Sequence, residues 1–206
     1  MTSALRMAVT MLVLMTLLTG IAYPVAITGV AQLIFPQQAA GSLTKRGDAV
    51  VGSALIGQYF AKPEYFHPRP SAANQSAPVP TTPTPDAAPP QNGYDPTASA
   101  GTNLAPSNKK LIDAVSAAVQ ANQPDNPGTP VPGDLVTSSA SGLDPDISPA
   151  AAEFQVPRVA KARGFGEDQV RAIVAQHTKG RTLGFLGETR VNVLELNLAL
   201  DQLSKK

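Results

Sequence analysis

The chain reads as an α+β protein, a small mixed α/β domain behind a single N-terminal transmembrane helix. An uncharged apolar run near the N-terminus predicts the membrane helix, and a series of capped, amphipathic segments in the C-terminal half predicts the helices of the domain. Short β-branched stretches between glycine and proline turns predict the strands. At 206 residues there is room for one membrane segment and one ordinary domain with a modest core.

The apolar run comes first in the chain. No charged residue occurs between Arg6 and Lys45, and MAVTMLVLMTLLTGIAYPVAITGVAQLIF covers residues 7–35. A bilayer needs about 20 apolar residues, so tilt or a bend takes up the excess. Pro24 would cost about 3 kcal/mol in a soluble helix interior, whereas neighbouring groups in a membrane accommodate such residues. The competing reading is a cleaved signal peptide, with Gly20-Ile21-Ala22 as a small-x-small site. Apolar character continuing past Ala22 to Phe35 favours a retained anchor. The expected organisation is a cytoplasmic tail at 1–6, a transmembrane helix at 7–35 and an extracytoplasmic domain at 36–206. Arg6 and the Lys45-Arg46 pair flank the run on both sides, so charge alone does not orient it. Long domains are exported largely regardless of such local charge.

Next comes a predicted strand at Val50–Ile56, followed by Tyr59, Phe60, Tyr65 and Phe66, aromatics expected to pack against the sheet. The stretch at about 73–100 is different in kind. APVPTTPTPDAAPPQNGYDP is rich in proline, alanine and threonine without periodicity, so it is expected to be a disordered, solvated insertion, with order resuming near Gly101. A helix follows, capped by Ser107 and running to Asn122, with Leu111, Val115 and Val119 on one face. Residues 128–145 read as loop and strand. Ser148 caps a further helix with Pro149 at its first position. Pro157 is expected to bend or break it before Gly164. Glu167 and Asp168 open another helix at the positive end of its dipole, closed by Lys179 and Gly180. Asn192-x-x-Glu195 resembles a capping box, and it leads a helix with Val193, Leu196, Leu200 and Leu203 on one face.

Composition excludes several chemistries. The chain has no cysteine, so disulfides, thiolate catalysis and cysteine metal sites are absent. Beyond Arg6 the basic and acidic residues balance, and a neutral domain without a basic run gives nucleic acid no electrostatic reason to bind. His67 and His177 form no ligand spacing. Gly164-Phe165-Gly166 lacks the later glycine of a dinucleotide fingerprint. Ser107-x-x-Lys110 has the spacing of penicillin-recognising serine enzymes, but Lys-Thr-Gly is missing. Asp144 and Asp146 flank Pro145, where a turn is the simple explanation. No catalytic residue and no metal ligand is assigned.

Motifs in order along nearly the whole chain resemble the KdpC family, the C subunit of the Kdp potassium-transporting P-type ATPase. They begin with Tyr23-Pro24, Phe35-Pro36, GSLTKRG (41–47) and GSALIGQYF (52–60). Phe66, RPSA (69–72), GTNL (101–104) and VTSSASGLDPDISPAAA (136–152) follow, then Gln155 with RVAKARG (158–164) and LGETRVNVLELNLALD (186–201). The candidate site positions that carry these motifs are Gly52, Ser53, Gly57, Gln58, Arg69, Pro70, Ser71, Asn103, Ser141, Gly142, Leu143, Asp144, Pro145, Gln155, Arg158, Gly187, Glu188, Arg190 and Asn192. Three departures stand out: the proline-rich stretch resembles an insertion, Thr102 replaces a usual serine and Thr189 a usual proline.

The resemblance implies a non-catalytic accessory subunit of an ATP-driven potassium uptake pump in the inner (plasma) membrane. It implies three partners besides the lipid bilayer: a channel-like potassium subunit, a P-type ATPase subunit that is phosphorylated in turnover, and a small one-helix subunit. The pump's Asp-Lys-Thr-Gly motif is absent here. ATP is implied by the resemblance alone, through a chaperone-like rise in the pump subunit's affinity for it. Two alternatives remain at this point: a membrane-anchored exported hydrolase using Ser107 and Lys110, and an anchored scaffold unrelated to potassium.

Overall fold

The structure is a computed structural model that describes residues 2–73 and 94–203. Helix and sheet are mixed, as the sequence predicts, and the chain divides into two compact units, Met1–Ser53 and Ala54–Lys206.

In the first unit the apolar run forms one continuous helical rod, long and apolar enough to cross a membrane, from Ser3 to Ile34. It comprises α1 (Ser3–Leu17), a π-helical turn (Leu18–Ala22) and α2 (Tyr23–Ile34). The π turn lies just ahead of Pro24, which has no N–H to donate and whose ring would crowd the carbonyl of Gly20 in regular α geometry. Widening the turn relieves that conflict, so the helix passes the proline without ending. Thr19 also turns its hydroxyl back to Met15 O (2.7 Å), satisfying itself within the helix. A short α3 (Pro36–Ala39) precedes a hairpin of β1 (Leu43–Arg46) and β2 (Ala49–Ser53), with a register irregularity at Thr44/Lys45. The predicted strand at 50–56 therefore ends three residues early, at a turn.

The second unit is built around α5 (Pro149–Arg163), α6 (Glu167–His177) and α7 (Val193–Leu203). These pack with a small antiparallel sheet in the order β3 (Asp146–Ile147), β5 (Arg190–Asn192), β4 (Thr178–Lys179). Ser148 caps α5 by accepting from Ala151 N (3.0 Å), and Gly164 ends it in the left-handed conformation. Of the bend or break expected at Pro157, the break does not occur: the helix runs on through it to Arg163. Phe154, Val156 and Val159 are fully buried around it. At about 1.5–3 kcal/mol each, their burial outweighs the roughly 3 kcal/mol that an internal proline costs. Asn192 Oδ1 accepts from Glu195 N (3.0 Å), so the predicted start of α7 is present.

Other expectations need correction. Ser107 does not cap α4 (Lys109–Asn122); Asn108 does, its Oδ1 accepting from Lys110 N at 2.9 Å. Ser107 and Lys110 are both exposed. No strand lies within 128–145, where a 3-10 turn (Gly133–Leu135) buries Leu135 instead. The insertion was also drawn too wide. Ala73 is fully buried and Tyr94 nearly so, and order is present from Tyr94 onward; the remainder of the proline-rich expectation, 74–93, lies outside the described residues. The aromatics pack chiefly among helices: Phe66 joins Phe154, Val159, Leu196 and Leu200 in the main core, and Phe60 meets Tyr65 at 5.4 Å between ring centroids.

Phe66 reaches that core on irregular backbone, which has no sheet partner. Asn197 supplies one. Its Oδ1 accepts from Phe66 N (2.8 Å) and its Nδ2 donates to Phe66 O (3.0 Å). Asn197→Leu keeps the size and leaves both groups orphaned. Each orphan costs about 1–3 kcal/mol, so urea unfolding of the full chain in detergent, followed by circular dichroism, should show a loss of about 3 kcal/mol with an unchanged m value.

Candidate functional site

The motif residues assemble into two linked clusters in the second unit. The first forms where 54–73 meets 139–146. Gly57 N donates to Leu143 O (2.9 Å), and a Cβ on Gly57 would stand 2.6 Å from Asp144 O and strike the Tyr94 ring. Only glycine permits so close a backbone approach. Gly142 is constrained twice: its φ of 68° is left-handed, and a Cβ would stand 2.8 Å from that of Ala73.

Ser71 joins the two segments. Its hydroxyl donates to Gly142 O and accepts from Ala73 N and Tyr94 N (3.1 Å each), which uses its whole bonding capacity. The Tyr94 hydroxyl donates to Arg69 O at 2.8 Å. Burial first, then the nearby Asp144 charge, raises the pKa of that phenol, so it stays protonated. Ser141 serves Leu143 N through its hydroxyl (3.1 Å) and Ala100 N through its carbonyl (2.9 Å). Pro145 O accepts from Val193 N at 3.0 Å, which ties the turn to the start of α7.

Charges line a depression of about 410 Å³ beside this junction, bounded in part by Arg69, Asp134, Asp144, Asp146, Glu188 and Arg190. Arg69 pairs with Asp144 at 3.0 Å and Arg190 with Asp146 at 3.1 Å. The second oxygen of Asp144 accepts from Asp146 N (3.1 Å). Asp134 accepts from both Ser148 N (2.7 Å) and its hydroxyl (3.1 Å). Burial raises the Asp146 carboxyl above the usual range, against the pull of Arg190. Asn192 donates to Asp146 (3.3 Å) and to Ala54 O (2.9 Å). The carboxylates are thus committed to backbone, hydroxyl and guanidinium partners. Among the described residues no group of three His, Asp or Glu side chains is placed to hold a metal ion.

The second cluster centres on Gln155 and Arg158. Gln155 receives His67 N at Oε1 (2.7 Å) and donates to His67 O (3.2 Å), repeating for His67 what Asn197 does for Phe66. Arg158 donates to Pro63 O (2.6 Å), Tyr65 O (2.9 Å) and Gln155 Oε1 (2.7 Å), and pairs with Asp125 at 2.7 Å. His67 Nε2 lies 3.2 Å from Lys62 O. Burial first, then the Arg158 charge, lowers the His67 pKa, so the imidazole is neutral in the fold and that nitrogen donates.

Pro70 lines a smaller cavity, of about 290 Å³, with Ser71, Tyr94 and His67 of the two clusters. Gln58 is half-buried beside Gly57. Asn103 is exposed at φ 51° and donates to Gly101 O. Gly187 and Glu188 belong to the loop between β4 and β5, where Glu188 pairs with Arg181 at 2.8 Å. Gly52 and Ser53 lie in the hairpin of the first unit. Sequence reasoning missed Asp134, Tyr94, Asn197 and Arg163. Asn197 had a signal, a polar residue within the apolar stripe of α7; Tyr94, at the end of a proline-rich stretch, had none.

Comparison with known proteins places this geometry. A family model described as "KdpC: K+-transporting ATPase, c chain" matches residues 5–202. Relatives named potassium-transporting ATPase KdpC subunit include one from Rhodopseudomonas palustris (strain BisB18), 54% identical over 201 residues, and one from Methylobacterium nodulans, 54% identical over 202; each alignment covers 98% of both chains. Another, from Bradyrhizobium diazoefficiens, is 52% identical over 202 residues, again covering 98% of both. The chain belongs to the KdpC family.

Two outcomes follow from the geometry. In a double-mutant cycle with Arg69→Met and Asp144→Asn, the pair should couple by about 1 kcal/mol, since both side chains are about a quarter exposed (25% and 28%); zero coupling would make the ion pair incidental. For His67 the folded pKa lies below the unfolded value of about 6.5. The unfolded chain therefore takes up more protons in acid, and the contribution is present above that value and lost as pH falls through the folded one. Unfolding measured from about pH 7 to about pH 5 should show stability falling in acid, with a shallower slope for His67→Gln.

Proposed function

We propose that this family member is a non-catalytic, membrane-anchored accessory subunit of a high-affinity, ATP-driven potassium uptake pump, helping to assemble and stabilise the complex. The observation that carries the reading is the family match over residues 5–202, which takes in both the apolar helix and the domain. The site's chemistry supports it: its carboxylates and guanidinia are engaged with one another and with backbone, an arrangement that fixes shape. We place Ser3–Ile34 across the membrane and the domain on the extracytoplasmic side. ATP is absent there, so any rise in the pump subunit's affinity for ATP has to reach it through protein contact. Partners on this reading are a channel-like potassium subunit, the ATP-hydrolysing subunit and a small one-helix subunit. The motif residues, from Gly57 and Arg69 to Asp144 and Asn192, act by holding the domain in the form those partners meet.

The test combines partners with topology. Tagged wild-type chain, solubilised from potassium-starved cells, should bring down a P-type ATPase subunit that forms an acyl-phosphate with ATP. The chain has no cysteine, and Ser107 is exposed. Ser107→Cys should react with a membrane-impermeant maleimide in intact cells whose outer membrane has been permeabilised. Labelling only after lysis would put the domain in the cytoplasm and return direct ATP contact to consideration.

A further inference from the structure

In the first unit the hairpin that follows the apolar helix is fastened close to the helix's end. From Met7 to Ile34 the helix rises about 42 Å at ~1.5 Å per residue, close to the roughly 40–45 Å of a bilayer with both headgroup layers. With Arg6 among the headgroups on one side, Phe35 reaches those on the other. There the chain turns (Phe35 φ −132°, ψ 58°) into the short α3. Gly41 N donates to Gln38 O and Ser42 N to Gln37 O (3.0 Å each), and the Ser53 hydroxyl donates to Gly41 O (2.7 Å). Both ends of the β1–β2 hairpin are thus tied to the segment that leaves the helix. Lys45 lies opposite Val50 in the hairpin register, and Leu43, two residues before Lys45 on β1, shares its face. All three are exposed, Leu43 at 46% and Val50 at 54%, while Thr44 on the other face is half-buried. The hairpin's one acidic residue, Asp48, is in the turn.

We propose that this face of the β1–β2 hairpin is a binding site for anionic phospholipid headgroups, an inference that rests on the placing of Ser3–Ile34 across the membrane. Leu43 and Val50 rest at the boundary between headgroups and acyl chains, and the Lys45 ammonium meets a lipid phosphate. Position selects lipid as the occupant: the hairpin is bonded to a segment that leaves the helix at headgroup level, so the headgroup layer is the neighbour its covalent attachment imposes. Composition agrees. A lysine beside two exposed aliphatic side chains has the amphipathic pattern of an interface, with apolar atoms turned to the hydrocarbon and the ammonium to the polar layer. An ammonium is a compact charge with three rotatable donors, suited to a phosphate in a fluid layer of no fixed orientation.

The experiment uses the full chain in lipid nanodiscs. The chain has no cysteine, so one fluorophore can be attached at Val50→Cys, at Leu43→Cys on the same face, or at Ala49→Cys, an exposed position on the opposite face. Lipids carrying a spin label on the headgroup should quench the Val50 and Leu43 labels about twice as strongly as the Ala49 label. Using both Leu43 and Val50 keeps the test standing if one substitution disturbs the hairpin. Replacing part of the phosphatidylcholine with phosphatidylglycerol should raise quenching at Val50, and Lys45→Gln should abolish that rise. Equal quenching on the two faces, no quenching at Leu43 and Val50, or a rise undiminished in Lys45→Gln would overturn the site. A label at Leu14→Cys reads the premise separately: lipids spin-labelled deep in the acyl chain should quench it. Without that quenching the membrane-spanning reading fails and the site falls with it, whereas deep quenching with a silent hairpin overturns the site alone.

Discussion

The second unit depends on how it lets irregular backbone run through its core. Between Pro63 and His67 the chain belongs to no helix or sheet, yet Phe66 is fully buried against α5 and α7. Every polar group exposed to that interior would cost about 1–3 kcal/mol if left unpaired. Side chains supply the missing partners: Asn197 for both groups of Phe66, Gln155 for both groups of His67, and Arg158 for the carbonyls of Pro63 and Tyr65. Arg163 serves Glu64 O (2.6 Å), pairs with Asp201 at 2.9 Å and lies over the Tyr65 ring. For the two buried groups of Phe66 alone the avoided penalty is about 2–6 kcal/mol, a large share of the roughly 5–15 kcal/mol that holds a whole domain folded. The two amides and two guanidinia are therefore as much a part of the core as the valines beside them.

The candidate site is built downstream of that constraint. Once His67 is fixed to α5, Arg69 and Ser71 are delivered to the turn at 141–145, where Gly57 and Gly142 let three segments close on one another. Pro145 O and Asn192 then carry the junction to the start of α7, the helix that supplies Asn197. The path closes on itself: the helix that supports Phe66 is positioned by the turn that Phe66 and its neighbours help to locate. Such a circuit explains why polar motif residues spread over more than a hundred positions meet in one corner.

Sequence reading reached the elements whose causes are local. The caps at Ser148 and Asn192, the acidic opening of α6 and the apolar face of α7 follow from neighbours a few residues apart, and all are present. The errors came from effects that act at a distance. Pro157 was read by its local cost, while the burial on all sides of α5 that overrides it is a tertiary property. Tyr94 was read as part of a solvated stretch because nothing near it in sequence announces Ser71 and Arg69 as partners. Ser107 and Asn108 are both competent caps, and which one serves is decided by backbone geometry at Asn108 (ψ 123°). At the site, the pairing of Asp144 with Arg69 spans 75 residues, beyond any periodicity.

The β4–β5 hairpin departs from this economy. Elsewhere in the unit, nearly all buried polar groups find partners, Arg69 Nε excepted, and most large apolar side chains find cover. At the tip the second rule is relaxed, and backbone strain is added to it. Leucine in the left-handed region costs about 1–2 kcal/mol relative to its ordinary conformations, and the same Leu183 is the most exposed large apolar residue in the unit. Asparagine or glycine at this position would remove the strain, and a polar side chain would remove the exposure. The fold's stability resides in the Phe66 circuit, and its exposed strain in the β4–β5 tip.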